Sequence, residues 1–294
     1  MKPTSPALFR CLLQTAVLIP LLSAGAMAQT LILEYRFNET GTTAASTGTD
    51  TTGLGLYKNT STLEDLHGGP GSGVSGAAGD RAFQNIRTEG PVTGGAARSA
   101  STVASINQLT SFTLTGWFHT GTASMIPSGA RLISFDNATG GVSLWADGSG
   151  NLTLTIGGSY VTSTGAMYSA TDSWQFFAVT YDGTLASNNV SFYVGTTAEE
   201  SLSTPLLRSL DKGTVGTTDR ALTLGNRVGN DRPFGGALDN IRIFGSKTDA
   251  SGVLSASQIE SYRAVDVIPE PASVAFVISG AVVLSLGMLR RFKH

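Results

Sequence analysis

The pentapeptide LTLTI at residues 152–156 alternates apolar and hydroxyl side chains with a period of two. Successive side chains of a β-strand point to opposite faces, so Leu152, Leu154 and Ile156 are expected to face a core and the two threonines the other side. The same period sets the register in which such a strand pairs with its neighbours. The stretch therefore predicts one strand of a sheet that has a core-facing side.

Further short apolar or alternating runs lie on both sides of this strand, bounded by Gly, Asn, Asp and Ser. Several are rich in β-branched and aromatic residues, and turn dipeptides such as Asp147-Gly148 and Asp182-Gly183 separate them. This spacing predicts an all-β fold, a single antiparallel β-sandwich or jelly roll. The other predicted strands are residues 31–37, 111–119, 131–135, 142–146, 174–181, 190–194, 221–224 and 237–244.

One short C-terminal helix is predicted from Ser255 to about Ala264. Ser255 and Gln258 have the spacing of a capping box, in which each side chain satisfies a backbone N–H group of the other residue. A helix of this length is unstable alone, so Ile259 and Tyr262 are expected to pack on the sandwich.

The composition agrees with this fold class and excludes several others. Charged residues are 14% of the chain, against about 25% in ordinary soluble domains, and glycine contributes 36 of 294 residues. These proportions disfavour helical bundles and charge-rich disorder, while a hydrophobic fraction of 41% suffices for a core. The net charge of −2 offers no basic surface for nucleic acid. Cys11, the only cysteine in the sequence, cannot form a disulfide within the chain.

The first 28 residues have the three parts of a secretory signal peptide. Lys2 and Arg10 form a positive region, residues 11–22 are apolar, and small residues end the segment at Ala28. We expect cleavage between Ala28 and Gln29. A transmembrane anchor is the alternative, but the apolar core is short and precedes a cleavage site.

The other end carries an uncharged stretch of 18 residues, 272–289, between Glu270 and a cluster of Arg290, Arg291 and Lys293. As a helix it would be about 27 Å long, close to the thickness of a bilayer core. Positive residues stay on the cytoplasmic side. The segment therefore predicts a transmembrane helix in the inner membrane, with the rest of the chain outside the cytoplasm.

The sequence Ile-Pro-Glu-Pro-Ala at residues 268–272, followed by this apolar stretch and the terminal Arg-Arg-Phe-Lys, resembles the PEP-CTERM sorting signal of Gram-negative bacteria. The resemblance assigns residues 266–294 to the signal. It implies that exosortase, a membrane transpeptidase, cleaves the chain near Pro269, Glu270 and Pro271, after which the protein is attached at the cell surface or released. The alternative is a plain C-terminal anchor, whose prolines only stop the helix from extending outward.

Five further landmarks follow one another across most of the chain. They read LEYRFNETGTTA at 33–44, FTLTGWF at 112–118, WQFFAVTYDG at 174–183, FGGALDNIRIF at 234–244 and the helix start LS at 254–255. In this order they resemble a laminin-G-like, concanavalin A-like jelly roll, which would occupy residues 29–265. The Gly, Ser and Thr-rich region 42–79 departs from the family pattern and leaves its loops unassigned.

The resemblance also implies calcium, which many of these sandwiches bind through oxygen ligands in their loops. By its position in Leu-Asp-Asn-Ile, Asp239 is the best candidate ligand, together with Asn38 or Glu34 if the first and last strands are neighbours. The alternative is that Asp239 accepts backbone hydrogen bonds at a strand bend.

Residues for catalysis are scarce. The Glu-x-Asp-x-x-Glu string of laminarinase-like relatives does not occur, and Glu64-Asp65 is better interpreted as a surface acidic pair, since adjacent strand residues face opposite sides. His67 and His119 are the only histidines between the predicted signals, and a Gly-x-Ser-x-Gly string is missing, so a Ser-His-Asp hydrolase and a zinc site are both disfavoured. We predict that His119 packs at a strand end and that His67 is an exposed loop residue.

The string GSGVSG at residues 71–76 matches the dinucleotide-binding glycine pattern. A turn-rich stretch precedes it and no convincing helix follows, so we reject that function.

Three tryptophans could stack on sugars. Trp117 and Trp174 lie in dense apolar runs and are expected to be in the core, whereas Trp145, beside a turn, is the best candidate for partial exposure.

These observations lead to one hypothesis with two alternatives. The protein is interpreted as an exported, exosortase-processed surface or extracellular-matrix protein, whose jelly roll is not an enzyme and binds extracellular polysaccharide or a surface protein. The first alternative is an exported polysaccharide hydrolase with an atypical carboxylate pair, and the second is a passive matrix scaffold. Fold alone does not choose among them.

Overall fold

The computed structural model describes residues 29–85, 94–120, 126–168, 172–198 and 201–268. The predicted signal peptide, including Ala28, and the predicted sorting signal from Pro269 through Arg290 and Arg291 lie outside these residues. Within the described ranges, no helix is long and apolar enough to cross a membrane.

The described residues form two antiparallel sheets that pack face to face. Sheet A has the strand order β1-β15-β6-β11-β12-β13, with β4 also paired to β15, and sheet B has the order β10-β9-β8-β7-β14-β5-β3-β2. The strands are β1 Leu31–Tyr35, β2 Thr43–Ala44, β3 Leu54–Tyr57, β4 Phe83–Asn85, β5 Ala96–Thr102, β6 Ser111–Thr120, β7 Ala130–Ser134, β8 Val142–Ala146, β9 Leu152–Ile156, β10 Ser159–Thr162, β11 Ser173–Asp182, β12 Val190–Thr196, β13 Leu206–Arg208, β14 Ala221–Leu224 and β15 Gly236–Ser246.

All nine predicted strands are present, and the predicted all-β sandwich is confirmed. Six further strands, β2, β3, β4, β5, β10 and β13, were not predicted. Two of them, β2 and β3, lie in the 42–79 region that the sequence left unassigned. Two 3₁₀ helices, Ala104–Ile106 and Ala250–Gly252, complete the connections.

The main core lies between the two sheets. Leu152, Leu154 and Ile156 all belong to it, as the alternation predicted. Residues that pair across neighbouring strands of sheet B have their side chains on the same face. One such core-facing row consists of Val161, Leu154, Leu144, Ile133, Leu224, Ala97 and Leu56. Burying each of these larger side chains contributes about 1.5–3 kcal/mol, so this row strongly disfavours a shift of register.

The outer face of sheet A carries a second apolar layer. Phe118 and Phe177 face the main core, whereas their chain neighbours Trp117 and Phe176 point to the other side of the same strands. Helix α1, Ala256–Asp266, covers this side. The cluster beneath it consists of Val74, Trp117, Phe176, Ala178, Tyr193, Phe244, Leu254 and Ile259.

Helix α1 begins as predicted and ends slightly later. The Ser255 hydroxyl accepts a hydrogen bond from the backbone N–H of Gln258, and the Gln258 side chain accepts one from the backbone N–H of Ser255. Ile259 is fully buried and the Tyr262 ring packs 5.1 Å from that of Phe244. The capping box therefore sets the start of the helix, and packing on the sandwich extends it to Asp266.

A buried ion network fixes the end of this helix to the sandwich. Arg242 of β15 donates from Nη1 and Nη2 to the Asp266 carboxylate at 2.8 and 2.6 Å, and from Nε to Glu34 of β1 at 2.7 Å. The Trp117 indole also donates to Asp266, at 2.9 Å. Contacts of the jelly roll thus extend through Asp266, one residue past the predicted boundary at 265.

Candidate functional site

The outer face of sheet B, in contrast, has no helix over it among the described residues. The side chains on this face follow the register from one sheet edge to the other, in the row Tyr160, Thr155, Ser143, Ser134, Thr223, Arg98, Gly55 and Thr43. Most members are small or hydroxylic. Tyr160 and Thr43 at the two ends of the row are exposed, whereas Thr155, Ser143, Ser134 and Thr223 between them are buried.

Trp145 stands next to this row, on the same face. It pairs with Arg131 of β7 in the register, and the Arg131 guanidinium lies 4.4 Å from the centre of its ring. The indole N–H donates to the Thr155 hydroxyl at 3.0 Å, which holds the ring in one orientation. The Tyr160 ring is 6.4 Å away in an edge-on arrangement and is 67% exposed. Two aromatic side chains therefore form a partly exposed platform on this face.

A cleft of about 440 Å³ adjoins the platform. Ser134 and Ala221 form part of its floor, on β7 and β14. Its walls come from four connections, the β7–β8 turn, the β9–β10 turn and the loops that precede and follow β14. The remaining lining residues are Asp136, Asn137, Ala138, Gly158, Arg220, Arg227, Val228 and Gly229.

Charged side chains are concentrated where the cleft meets the platform. Arg227 and Asp231 form a two-point ion pair. Burial and the nearby Arg227 and Arg232 lower the pKa of Arg131 to about 10. Asp136 and Asp231 act in the opposite direction without cancelling this effect. Arg131 still carries its charge at neutral pH, in surroundings that already contain two other arginines.

Comparison with known proteins shows the family to which this architecture belongs. Residues 93–259 match a family model described as the Concanavalin A-like lectin/glucanases superfamily. The match covers more than half of the 294 residues. The chain belongs to this superfamily. No curated protein sequence matches the chain.

Solved structures with similar folds include domain 4 of a GH43 extracellular arabinanase from Geobacillus stearothermophilus, in complex with arabinotriose. It has a TM-score of 0.52 and 14% identity over 80% of this chain and 98% of that domain. Botulinum neurotoxin type C, whose cell entry depends on two ganglioside molecules, has a TM-score of 0.51 and 13% identity, over 80% of this chain and 50% of the toxin chain. The botulinum neurotoxin DC binding domain in complex with rat synaptotagmin II has a TM-score of 0.50 and 12% identity, over 80% of this chain and 51% of that chain. This chain spans about half the length of those toxin structures, and the similarity shows the fold.

Within this concanavalin A-like jelly roll, the three predicted calcium ligands have other partners. Glu34 is paired with Arg242, and the Asn38 side-chain oxygen accepts from the backbone N–H of Arg81 at 2.8 Å. Burial alone would raise the pKa of Glu34, but Arg242 and a hydroxyl group lower it below its ordinary value. No group of three or more His, Cys, Asp or Glu side chains in the described ranges is arranged to hold a metal.

Asp239 lies at a break in the register of β15 and is fully buried. Its carboxylate accepts the backbone N–H groups of Val74 at 2.9 Å and Asn240 at 2.7 Å. Burial and the nearby carboxylate of Asp80 raise the pKa of Asp239 well above its ordinary value. These contacts correspond to the alternative interpretation, a carboxylate at a strand bend. Glu34, Asn38 and Asp239 as placed do not fit a calcium site.

The glycine-rich string at residues 71–76 belongs to the loop held by Asp239. The Asp80 carboxylate accepts the Ser75 N–H and hydroxyl, both at 2.7 Å, and the loop docks through Val74 on the apolar layer of sheet A. No helix follows the string, as expected. The glycines allow close packing of this covering loop.

The prediction for His67 was wrong. Its side chain is fully buried, because residue 67 bridges to Phe83 in an isolated β-pair and its ring packs beside Phe37. Nδ1 lies 3.0 Å from Asp65 and Nε2 lies 3.7 Å from Glu39. The neighbouring glycines gave the appearance of an exposed loop, but the backbone amide of His67 donates to Asp65 and turns the segment inward.

The other singled-out residues lie close to their predicted settings. Trp117 is fully buried as predicted, and Trp145 is half-buried on the open face. Trp174 packs on the same layer as Trp117 but is itself only partly buried, which differs from the predicted core position. His119 is near the end of β6, with Nε2 3.3 Å from Asp172. The Glu64-Asp65 pair is at the surface, where Glu64 contacts Lys58.

Arg131, Tyr160 and the cleft were missed from the sequence. Arg131 starts a predicted strand, but nothing local shows that register places it over Trp145. Tyr160 follows a Gly-Gly turn in the run SYVT, whose alternation after strand 152–156 is a hairpin signal that could have found it.

Proposed function

We propose that the outer face of sheet B is a non-catalytic carbohydrate-binding site. The observation that carries the proposal is the Trp145 and Tyr160 platform on the same face as a cleft with mostly polar and charged walls. Aromatic rings offer flat apolar surfaces to the C–H faces of sugars, and polar groups around them orient the hydroxyls. The arabinotriose complex of the arabinanase domain lends support, since a similar fold there holds an oligosaccharide.

The carboxylates of this region favour binding over hydrolysis. A glycosidase needs a general acid whose pKa is raised. Beside the cleft, the Arg227 side chain lowers the pKa of Asp231 instead. Asp239 has a raised pKa, but it is buried on the opposite sheet beneath the 71–76 loop. The pairing of Asp231 with Arg227 therefore supports the binding proposal over the hydrolase alternative.

Retention of the purified protein on immobilised polysaccharides tests the proposal. The double variant Trp145→Ala with Tyr160→Ala is expected to bind at least about tenfold more weakly, since each lost ring contact is worth about 1 kcal/mol. Leu207→Ala, which removes an exposed apolar side chain from sheet A, is the control. No retention on any polysaccharide, or equal retention of both variants, would overturn the proposal. Release of reducing sugar would indicate the hydrolase alternative. If the protein binds no polysaccharide but its loss weakens the extracellular matrix, the result would indicate the scaffold alternative.

We further propose that the protein is exported and processed by exosortase at the PEP-CTERM-like signal. The N-terminal pattern up to Ala28 and the compact order of Pro269, Glu270, Pro271 and the terminal basic cluster support this. Fractionation with mass spectrometry checks it. A mature N-terminus at Gln29 and loss of the C-terminal segment at the cell surface are expected, and full-length polypeptide inside the cytoplasm would contradict the proposal.

Calcium binding stays a prediction that rests on the family resemblance. Titration calorimetry of the purified protein with CaCl₂ tests it. Heat of binding together with a rise in melting temperature would support a site, and the absence of both would eliminate it.

A further inference from the structure

Two arginines beside the platform have no carboxylate partner among the described residues. Arg131 donates from Nη1 to the Gly129 carbonyl at 2.8 Å, and Arg232 donates to the Ser128 carbonyl at 3.4 Å. Arg227, in contrast, is neutralised by its ion pair with Asp231. Neutral carbonyls satisfy hydrogen bonds, but they do not compensate a positive charge.

These two arginines are close together and close to Trp145. The backbone N–H of Arg131 donates to the Arg232 carbonyl at 3.1 Å. A methyl group placed on Gly129 would lie 3.5 Å from both Nη1 of Arg232 and the Trp145 ring. Arg131 therefore lies over the face of the Trp145 ring and Arg232 lies nearby, next to the aromatic surface that the proposed function assigns to a sugar.

Arg131 also has an unused donor. Its Nε atom is buried and has no hydrogen-bond partner within the described part of the chain. Leaving a buried donor unsatisfied costs about 1–3 kcal/mol, more for a charged group. The carboxylates of Asp136 and Asp231 act on Arg131 without forming an ion pair with it. A guanidinium that is desolvated and incompletely hydrogen-bonded gains most from a directly bound anion, because its planar donor edge matches a carboxylate or sulfate in two-point geometry.

We infer that the sugar bound at Trp145 carries an anionic substituent, held by Arg131 and Arg232. The inference rests on the proposed function and narrows its ligand to acidic polysaccharides. A neutral glycan would leave both guanidinium groups without a bound anion in the complex and would desolvate them further. Two anionic groups share this chemistry, the carboxylate of a uronic acid and a sulfate ester.

Polysaccharides that share a sugar backbone and differ in charge separate the effect of the anionic group from that of the sugar. The protein is titrated with neutral, carboxymethylated and sulfated forms of dextran and of cellulose, and with esterified and de-esterified pectin. Acidic forms are expected to bind at least about tenfold more tightly than their neutral counterparts. Added salt is expected to weaken the acidic complexes selectively, since it screens exposed charges. The carboxylated and sulfated arms identify which anion the site prefers.

Three variants assign the effect to the site. Arg131→Gln and Arg232→Gln are each expected to weaken acidic binding about tenfold and to change neutral binding by less than about threefold. Lys247→Gln, an exposed lysine bonded to the Ala104 carbonyl, makes the same change in net charge elsewhere and is expected to have no effect. Arg232 is exposed, so its variant is informative even if Arg131→Gln unfolds the domain.

The outcomes are distinguishable. Binding that is equal for neutral and acidic forms, or that Arg232→Gln leaves unchanged, would overturn the anionic inference while the carbohydrate site itself stands. Equal weakening by Lys247→Gln would show a diffuse charge effect and would also overturn it. Loss of all polysaccharide binding would instead remove the proposed function.

Discussion

The two outer faces of this sandwich differ in how their charged groups are satisfied. On sheet A, Arg242 is buried with both of its carboxylate partners, Glu34 and Asp266, under helix α1. On sheet B, the side-chain hydrogen bonds of Arg131 and Arg232 among the described residues go only to carbonyl groups, and Trp145 remains half-buried. The same sheet architecture thus gives one closed and one open face.

The difference separates stability from recognition. A buried charge whose hydrogen bonds and ion pairs are all made within the protein holds elements together and has no donor left for a ligand. A charge at an open surface that lacks an ion-pair partner can still bind one. Substitutions on the face of sheet A should therefore change the free energy of unfolding, and substitutions on the face of sheet B should change binding. The predictions below test this separation.

The largest effect is expected at Arg242. Arg242→Met leaves the buried carboxylates of Glu34 and Asp266 without their cation, which costs about 3–5 kcal/mol of unfolding free energy. Denaturant unfolding measures it. Arg36→Met is the control, because Arg36 is a more exposed partner of Glu34, with 45% of its side chain accessible, and such pairs contribute at most about 1 kcal/mol. Equal losses in the two variants would show that the closed face does not depend on its buried network.

The loop that covers sheet A offers a matched pair of glycines. A Cβ atom at Gly73 would lie 2.4 Å from the Asp80 carboxylate, whereas one at Gly69 would meet nothing within 4 Å. Gly73→Ala is expected to lower the unfolding free energy by about 1–3 kcal/mol through this overlap. Gly69→Ala should be neutral or slightly stabilising, since it restricts the unfolded chain. Thermal unfolding compares the two, and a neutral Gly73→Ala would contradict the docking of this loop.

The network on sheet A also predicts a pH dependence. The pKa of Glu34 lies below its ordinary value of 4.5 in the folded protein. Its ionised form therefore stabilises the fold above that pH, and the stabilisation is lost as the pH falls. Glu34→Gln should cost about 1–2 kcal/mol near neutral pH and progressively less at acidic pH below 4.5, as the pH falls through the lowered pKa of the native carboxylate. Unfolding curves at both pH values measure this, and a cost independent of pH would exclude the ion pair as its source.

The sequence predicted the closed parts of the molecule better than the open ones. Strand β9 and helix α1 have local signals, namely alternation in LTLTI and a capping box at Ser255. Strand β5 reads AARSAST and has no such signal, because the neighbouring strands β14 and β3 impose its pairing. The candidate site depends on register across sheet B, which brings Arg131 beside Trp145, and no short stretch of sequence encodes that neighbour.

The smallest effect on stability is expected at Tyr160, and this makes it the sharpest test of the separation. Tyr160 and Tyr262 are two tyrosines on opposite outer faces. Tyr262 packs on Phe244 and lies 5.1 Å from the Arg242 guanidinium, so Tyr262→Ala removes buried contacts and a cation–π interaction worth about 2 kcal/mol together. Tyr160 is 67% exposed, and Tyr160→Ala should change the unfolding free energy by less than about 0.5 kcal/mol.

Binding should rank the same two variants in the opposite order. Tyr160→Ala is expected to weaken polysaccharide binding several-fold, because the ring forms one side of the platform, while Tyr262→Ala should bind like the unmodified protein as long as it is folded. Unfolding curves and titrations on the same preparations give both rankings. If Tyr160→Ala destabilised the fold as much as Tyr262→Ala, the open face would be part of the structural core and its aromatic pair would need no ligand to explain it.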